Sequence, residues 1–477
     1  MANRLRVNAL ISLAMLNVCT LGAGVAVAAL LPARLALWKI PRVAAVPVAA
    51  PGEVLFPALR SGPLPTSAGL STVLTPMLAS PALGSHVGVM VTDPVSGAVL
   101  WSSNASSPAR PASTAKLASA VAALTVLGPA ARFTTRVVAG ATGGSIVLVG
   151  GGDPTLAAGP PPASDFPQPA TLAALAAATA RSLRTQGRSQ VRLSYDTSLF
   201  TGPLLAPGWT PSYISTGNVT GITSLEIDQG RLTPAGAPED ADDPGNFRAR
   251  SFTPAADAAA AFAAYLNADG ITVTGPLADA AAAPDAATIA AVKSPPLSDM
   301  VAWMLRESNN VIAEVLARQV ALHNGAPATF SGAAAAVTHV LAGLGIAGSI
   351  YLVDGSGLSP DDRVTPAALT SLVALASGPA HPRLRSAITG MPVAGFSGTL
   401  APDQSVFGHF KAPALGVVQA KTGNLDTVAA MAGLAYDQQG QVLDFAFMAD
   451  EVSPASLSQA AAEIDAMVTA LAGCGCR

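Results

Sequence analysis

Three short motifs place serine and lysine side chains where they could carry out acyl transfer. Ser113-Thr114-Ala115-Lys116 follows Pro111, Ser308-Asn309-Asn310 lies further along the chain, and Lys421-Thr422-Gly423 lies near the C-terminus. The chain has only five lysines, and two of them belong to these motifs. A serine hydroxyl is a weak nucleophile until an adjacent base takes its proton. A lysine three residues after a serine therefore predicts an activated nucleophile.

The predicted elements bring Ser113 and Lys116 to the same face of a helix. Residues 112–127 are helix formers without interruption up to Gly128-Pro129, and residues three apart on a helix are neighbours. Burial or a nearby cation such as Lys421 lowers the pKa of a lysine, which makes Lys116 the candidate base. A helix start also directs backbone N–H groups and the positive end of the helix dipole toward a developing oxyanion.

The third motif is predicted to bind substrate. A predicted strand over residues 417–421 ends at this motif, where the Thr422 hydroxyl and the Lys421 ammonium can hold a substrate carboxylate. Gly423 lets the extended backbone of a substrate approach the strand edge closely.

The middle motif is predicted to lie within a long helical region over residues 297–323. From there Ser308 would pass a proton to the leaving group, and Asn310 would hydrogen-bond a substrate amide. Each motif is common by itself. The order of the three motifs and the elements that carry them therefore make the pattern specific.

The pattern of the remaining chain predicts an α+β fold. Strands are predicted over residues 86–92, 98–102, 427–436 and 442–448, and a closing helix over residues 453–471. Helices packed on an antiparallel sheet, with N- and C-terminal elements adjoining, form this class of architecture. Residues 135–293 mix short strands with an alanine-rich helix, which predicts an insertion of one or two small domains.

Composition and the remaining motifs disfavour several classes of function. A net charge of -3 with 12% charged residues provides no basic surface for nucleic acid. No metal-binding spacing is present, so neither a metal nor another cofactor is expected. Residues 343–348 match the dinucleotide spacing G-x-G-x-x-G, but they follow a predicted helix and precede a predicted strand, the reverse of the required order. The histidines lie outside any Gly-x-Ser-x-Gly context, which disfavours a Ser-His-Asp hydrolase.

The N-terminus predicts export. Arg4 and Arg6 precede a charge-free run over residues 7–31, which is either a cleaved signal peptide or a retained membrane anchor. Recurrent prolines over residues 32–66 predict an extended tether. The protein is therefore expected in the cell envelope, at the outer face of the cytoplasmic membrane or in a periplasm-like space. Cys474 and Cys476 are interpreted as part of a frayed C-terminal tail without a catalytic role.

The order Ser-x-x-Lys, Ser-x-Asn, Lys-Thr-Gly resembles that of penicillin-binding proteins and serine β-lactamases. The 195 residues from Ser113 to Ser308 make the chain more similar to one group, the D-alanyl-D-alanine carboxypeptidase/endopeptidase family of class C low-molecular-mass penicillin-binding proteins (peptidase family S13). The resemblance covers roughly residues 70–472. It includes further stretches at residues 148–156, 196–200 with 207–209, 354–359 with 363–366, and 395–400.

This resemblance implies a transpeptidase-like domain of residues 67–134 and 294–473, with residues 135–293 inserted as an accessory region. It implies Ser113 as the acylated nucleophile, Lys116 as its base, and the backbone N–H groups of Ser113 and Asn424 as the oxyanion hole. Ser308 and Lys421 would move or tune the proton, and Asn310 and Thr422 would bind substrate.

The implied reaction is hydrolysis of the terminal D-Ala-D-Ala bond of peptidoglycan stem peptides, with D-Ala cross-links as further substrates. β-Lactams would then be covalent inhibitors. Two alternatives stay open: a serine β-lactamase or esterase on the same fold, and a non-catalytic protein that binds the cell envelope.

Overall fold

A computed structural model describes residues 63–163, 166–232, 248–402 and 406–476, all of which belong to one compact unit. The predicted export segment and residues 32–62 of the predicted tether lie outside the described residues. Within the described ranges, every helix is too short or too polar to cross a bilayer.

The strands and helices of the described residues follow one another along the chain, and we number each kind in that order. The strands are β1 (His86–Thr92), β2 (Val99–Ser103), β3 (Thr134–Ala139), β4 (Ser145–Val149), β5 (Gln190–Asp196), β6 (Thr272–Val273), β7 (Ala278–Asp279), β8 (Thr288–Lys293), β9 (Ile350–Tyr351), β10 (Arg363–Val364), β11 (Val418–Leu425), β12 (Val428–Tyr436) and β13 (Val442–Asp450). The helices are α1 (Ser67–Leu78), α2 (Lys116–Val126), α3 (Leu172–Thr185), α4 (Ser212–Ser215), α5 (Pro254–Ala268), α6 (Leu297–Arg306), α7 (Asn310–His323), α8 (Phe330–Gly343), α9 (Pro366–Ser377), α10 (Ser386–Thr389) and α11 (Leu457–Ala472).

The first sheet has five antiparallel strands in the order β11-β12-β13-β1-β2, so elements from both ends of the chain meet in it. Both of its faces are buried, because α1 and α11 pack on one face and α2 and α9 lie in the core on the other. Successive residues of β12 point to opposite cores, Ala430 and Ala432 to one and Ala429 and Met431 to the other. A strand buried on both faces is apolar throughout.

The second sheet is mixed, in the order β6-β5-β4-β3-β8 with β7 also paired to β5. Helices α3 and α5 cover it through a core that includes Leu175, Leu183 and Phe262. All of these elements lie between residues 134 and 293. The division into a peptidase domain and an inserted region stays a prediction.

The α+β fold is confirmed, and the main differences from prediction fall on the motifs. The predicted helix over residues 297–323 is wrong at its centre, because α6 ends at Arg306 and α7 begins at Asn310. Ser308, between them, has a positive φ of 55°. The Asn309 side chain accepts the N–H of Ile312 at 3.0 Å and so caps the new helix.

The other two motifs also differ in local structure from the prediction. Ser113 lies in a 3₁₀ turn, Ala112–Ala115, and the α-helix begins only at Lys116. The Lys-Thr-Gly motif lies inside β11, which continues to Leu425, and not at the end of a strand.

The C-terminal tail is packed rather than frayed. Cys474 is buried, and the structure joins its sulfur to that of Cys476. The backbone N–H of Thr66, which caps α1, donates to the Cys476 carbonyl at 2.9 Å. The tail therefore lies against the start of the described chain.

Candidate active site

The Ser113 hydroxyl and the Lys116 amine are in direct contact. Nζ of Lys116 lies 2.8 Å from Oγ of Ser113, and Lys116 is completely buried. The turn that precedes α2 is strained at Ala112, which has a φ of 46°. Non-glycine residues at positive φ are uncommon, and such strain is often found at functional sites. This turn brings the serine within hydrogen-bond distance of the lysine.

Lys116 is held by two further groups. Its Nζ donates to Oδ1 of Asn310 at 2.6 Å and to the carbonyl of Ser356 at 2.8 Å. Burial lowers the pKa of Lys116 from 10.5 to about 7, although the carboxylates of Asp354, Glu314 and Asp362 oppose the shift. As a neutral amine, Lys116 can donate to these two oxygens and keep its lone pair for the Ser113 proton.

Ser308 and Lys421 form a second serine–lysine pair. Lys421 Nζ donates to Oγ of Ser308 at 2.9 Å and to the carbonyl of Thr422 at 2.7 Å. The left-handed backbone of Ser308, at the break between α6 and α7, directs this hydroxyl toward β11. Burial, and then the positive charge of Lys116, lower the pKa of Lys421 well below its ordinary value. Because the two lysines repel each other when both are charged, their protonation is coupled.

Asn310 joins the first and second motifs. While its Oδ1 accepts from Lys116, its Nδ2 donates to the carbonyl of Asn218 at 2.8 Å. The sequence predicted that this amide would contact substrate. In the structure it fixes the lysine, and the orientation of the amide is set by a residue that the sequence analysis did not single out.

Strand β11 is an outer strand of its sheet, and residues 392–394 cover the first half of its outer edge. Ala394 donates its N–H to the Val418 carbonyl, and Ala420 donates to the Pro392 carbonyl, both at 3.0 Å. Outward-pointing backbone groups recur every second residue of a strand, so the N–H of Asn424 points to the same side beyond this cover. This N–H is the one that the resemblance implies as an oxyanion-hole donor.

Thr422 and Gly423 occupy the middle of this strand. The Thr422 hydroxyl lies 2.7 Å from that of Thr399. A Cβ added to Gly423 would lie 2.6 Å from the Pro111 carbonyl. The turn that carries Ser113 fills the space over this glycine, which gives Gly423 a structural reason of its own. The approach of a substrate to the strand edge stays a prediction.

The structure thus joins Ser113, Lys116 and Asn310 in one set of hydrogen bonds and Ser308 and Lys421 in a second. Thr422, Gly423 and Asn424 follow Lys421 on β11. Three residues at this site were not predicted from the sequence: Ser356, Thr399 and Asn218. The first two lie in the stretches 354–359 and 395–400, which could have indicated them. Nothing in the sequence distinguishes Asn218. A serine in contact with a buried amine, a second lysine and an outward N–H are the groups that acyl transfer through a covalent intermediate would use.

Comparison with known proteins finds carboxypeptidases. The model of the D-Ala-D-Ala carboxypeptidase 3 (S13) family matches residues 70–248 and 235–471. The chain is 38% identical over 426 residues to a carboxypeptidase of Mycobacterium tuberculosis, covering 88% of this chain and 87% of the relative. It is 37% identical over 438 residues to carboxypeptidase DacB of Mycolicibacterium smegmatis, covering 91% of each.

A solved structure has the same fold. The crystal structure of penicillin binding protein 4 from Haemophilus influenzae superposes with a TM-score of 0.67 at 24% identity, covering 84% of this chain and 99% of that one. Together with the family match and the two carboxypeptidase relatives, these observations show that the chain belongs to the D-Ala-D-Ala carboxypeptidase 3 (S13) family and is a serine DD-peptidase.

Proposed function

We propose that this DD-peptidase acts through an acyl-enzyme on Ser113 and that its substrate is the D-Ala-D-Ala terminus of peptidoglycan stem peptides. The observation that carries the proposal is the 2.8 Å contact between Ser113 Oγ and a buried Lys116 whose pKa is lowered to about 7. A general base works best when its pKa is near the working pH. Lys116 meets that condition without help from a histidine.

In the acylation step, the neutral Lys116 amine takes the Ser113 proton while Oγ attacks the carbonyl of the penultimate D-Ala. The oxyanion that forms accepts from the N–H groups of Ser113 and Asn424. The C–N bond then breaks, and the terminal D-Ala leaves as an amine after receiving a proton. The proton that Lys116 took from Ser113 passes to this amine by way of Lys421 and Ser308, whose Nζ and Oγ are in contact, so that Lys116 is a neutral amine again before deacylation.

In the deacylation step, water attacks the ester and Lys116 takes its proton. The bond to Ser113 Oγ breaks, the proton returns to that oxygen, and the shortened stem peptide leaves. The Thr422 hydroxyl, which follows Lys421 on β11 and contacts the Thr399 hydroxyl, is suited to hydrogen-bond the carboxylate of the terminal D-Ala.

β-Lactams are proposed as covalent inhibitors, since they present an acyl group to the same serine. One solved structure of penicillin binding protein 4 from Haemophilus influenzae, with a TM-score of 0.60 and 23% identity, is a complex with a β-lactam. The N-terminal charge-free run supports a place in the cell envelope, at the outer face of the cytoplasmic membrane, with membrane association through that segment.

A mass-spectrometric experiment tests the proposed function. The protein is incubated with a penicillin and, separately, with a stem pentapeptide, and both intact protein and peptide products are measured. We expect a lasting penicilloyl adduct that maps to the peptide containing Ser113, together with release of D-Ala. Rapid turnover of penicillin without a lasting adduct would favour the β-lactamase alternative. A chain that forms no adduct and releases no D-Ala would instead fit the non-catalytic alternative.

The rate of acylation is expected to fall as the pH decreases below about 7. Because the pKa of Lys116 is lowered to about 7, the free amine predominates above that pH and is lost below it. At about pH 5 only about 1% of this lysine is neutral, so the rate is expected to be about 100-fold below its plateau. Stopped-flow measurement with a fluorescent penicillin gives this rate, and circular dichroism at each pH verifies that the protein stays folded. A rate that stays constant from about pH 5 to about pH 8 would exclude Lys116 as the base.

A further inference from the structure

A buried loop over residues 354–359 lies against the catalytic lysine. The Ser356 carbonyl accepts from Lys116 Nζ at 2.8 Å, and the neighbouring Gly355 carbonyl accepts from the Ser119 hydroxyl at 2.6 Å. Lys116 and Ser119 are three residues apart on α2, so the loop lies along one face of that helix. The position of this loop determines the position of the Ser356 carbonyl relative to the Lys116 amine.

The Asp354 carboxylate shapes this loop. Its Oδ1 accepts the N–H groups of Ser356 at 3.0 Å and Gly357 at 2.7 Å. Its Oδ2 accepts the N–H of Ser359 at 2.6 Å and the indole N–H of Trp209 at 2.8 Å. A carboxylate offers about four acceptor positions, and all four are used here. Three donors come from the loop itself, and the fourth comes from another part of the chain.

The same loop contacts the turn that carries the nucleophile. Gly357 has a φ of 83°, and a Cβ at this position would lie 1.9 Å from the Ala112 carbonyl. Ala112 is the strained residue directly before Ser113. Movement of the loop would therefore disturb both partners of the 2.8 Å contact between Ser113 and Lys116.

Trp209 is fixed by its own surroundings. It is 7% exposed, and its ring meets that of Phe330 edge-on at 5.2 Å between centroids. The two belong to a core in which Val219 and Ile222, from the segment between β5 and β6, pack with Val311 of α7 and Leu358 of the loop. A buried indole N–H requires an acceptor, and this one has the Asp354 carboxylate. The segment that contains Trp209 thus reaches the loop through a directed hydrogen bond, in addition to the one that its Asn218 carbonyl accepts from Asn310.

We infer that Asp354 and Trp209 are positioning residues for acylation: the indole N–H holds the Asp354 carboxylate, which holds the Ser356 carbonyl against Lys116. The inference rests on the proposed role of Lys116 as the base of Ser113. It gives the predicted inserted region a function in catalysis, since Trp209 lies between β5 and β6 and touches neither reacting group.

A pair of tryptophan variants tests the inference in the full-length protein. Trp209→Phe removes the N–H that donates to Asp354. Trp101→Phe is the control, because it removes the same atoms from a buried tryptophan of β2, in the core that β2 shares with α1 and α11. We expect Trp209→Phe to acylate with fluorescent penicillin about 10- to 100-fold more slowly than Trp101→Phe, the range for losing a hydrogen bond to a charged group. The acidic limb of its pH–rate profile should also move to lower pH, because the Lys116 ammonium is then held less well by the Ser356 carbonyl.

A purely structural role would lower the thermal midpoint or the fraction of protein that can be acylated, but would leave that limb in place. The inference would be overturned if the two variants had equal acylation rates and the same acidic limb in their pH–rate profiles. This outcome requires that the wild-type protein is acylated and that its own acidic limb lies near pH 7. Failure of the wild type would instead refute the proposed function.

Asp354→Asn provides a second measurement. In either orientation of the new amide, its NH₂ group faces two N–H donors, so the isosteric change disrupts the loop. Glu314→Gln is the matched control, because it also removes a carboxylate near Lys116 while its amide oxygen can still accept the Gly355 N–H. We expect the acylation rate to fall more in Asp354→Asn than in Glu314→Gln. A loss as large in Glu314→Gln would count against a specific positioning role of Asp354.

Discussion

Ser113→Ala is expected to abolish labelling by fluorescent penicillin and to lower the release of D-Ala from a stem pentapeptide by at least about 10⁴-fold, as expected when a covalent nucleophile is removed. The loss has a direct cause, because the hydroxyl that Lys116 contacts at 2.8 Å is the atom proposed to form the acyl bond. Gel fluorescence measures the adduct, and chromatography of the peptide products measures turnover.

The matched control is Ser102→Ala, which removes the same oxygen from an exposed position on β2. It is expected to behave as wild type in both measurements. If Ser113→Ala were still labelled to the wild-type extent, Ser113 would not be the nucleophile.

Lys116→Met is expected to lower the acylation rate by about 10³-fold, within the range for loss of a general base. Methionine keeps most of the length of the side chain but cannot take the Ser113 proton. Lys116→Arg is the informative partner, because arginine keeps a positive charge and yet cannot be deprotonated in a protein. We expect both variants to be slow. Wild-type rates in Lys116→Arg would mean that Lys116 supplies only its charge.

The stability of Lys116→Met separates lost chemistry from lost structure. The pKa of Lys116 is lowered from 10.5 when unfolded to about 7 when folded, so below about pH 10 folding must release a proton or bury a charge. This lysine therefore destabilises the fold, most strongly below about pH 7, and its removal relieves that cost. We expect the methionine variant to unfold at or above the wild-type temperature at about pH 6, as measured by calorimetry.

The sequence allowed the chemistry to be predicted better than the local geometry. Ser113 and Lys116 are three residues apart, so a single turn of either helix type brings them together. The break at Ser308 was not predicted, although Asn309 is a residue type that favours an N-cap. The Asn309 side chain caps the second helix, and the contact between Ser308 and Lys421 of β11 comes from the tertiary structure.

Contacts between distant residues were the least predictable. Lys116 and Ser356 are 240 residues apart, and Asn310 and Asn218 are 92 apart. Periodicity reports which side of an element is buried, but not which other element covers it. The resemblance to a known family directed attention to residues 354–359 without stating their role, and the hydrogen bonds of Asp354 supply a physical one.

The partial cover of β11 has a consequence for self-association. An outer strand exposes unpaired backbone groups to which a strand of another molecule can add, and proteins commonly protect such edges. Pro392 and Ala394 already occupy the edge at Val418 and Ala420, so the described residues leave a stretch of only a few residues, from Lys421 to Leu425, beyond this cover. In this stretch only Thr422 and Asn424 direct their backbone groups away from β12, and the Thr422 carbonyl already accepts from Lys421 Nζ. The edge is therefore long enough to receive a short peptide terminus and too short to start a lasting sheet between two copies of the enzyme.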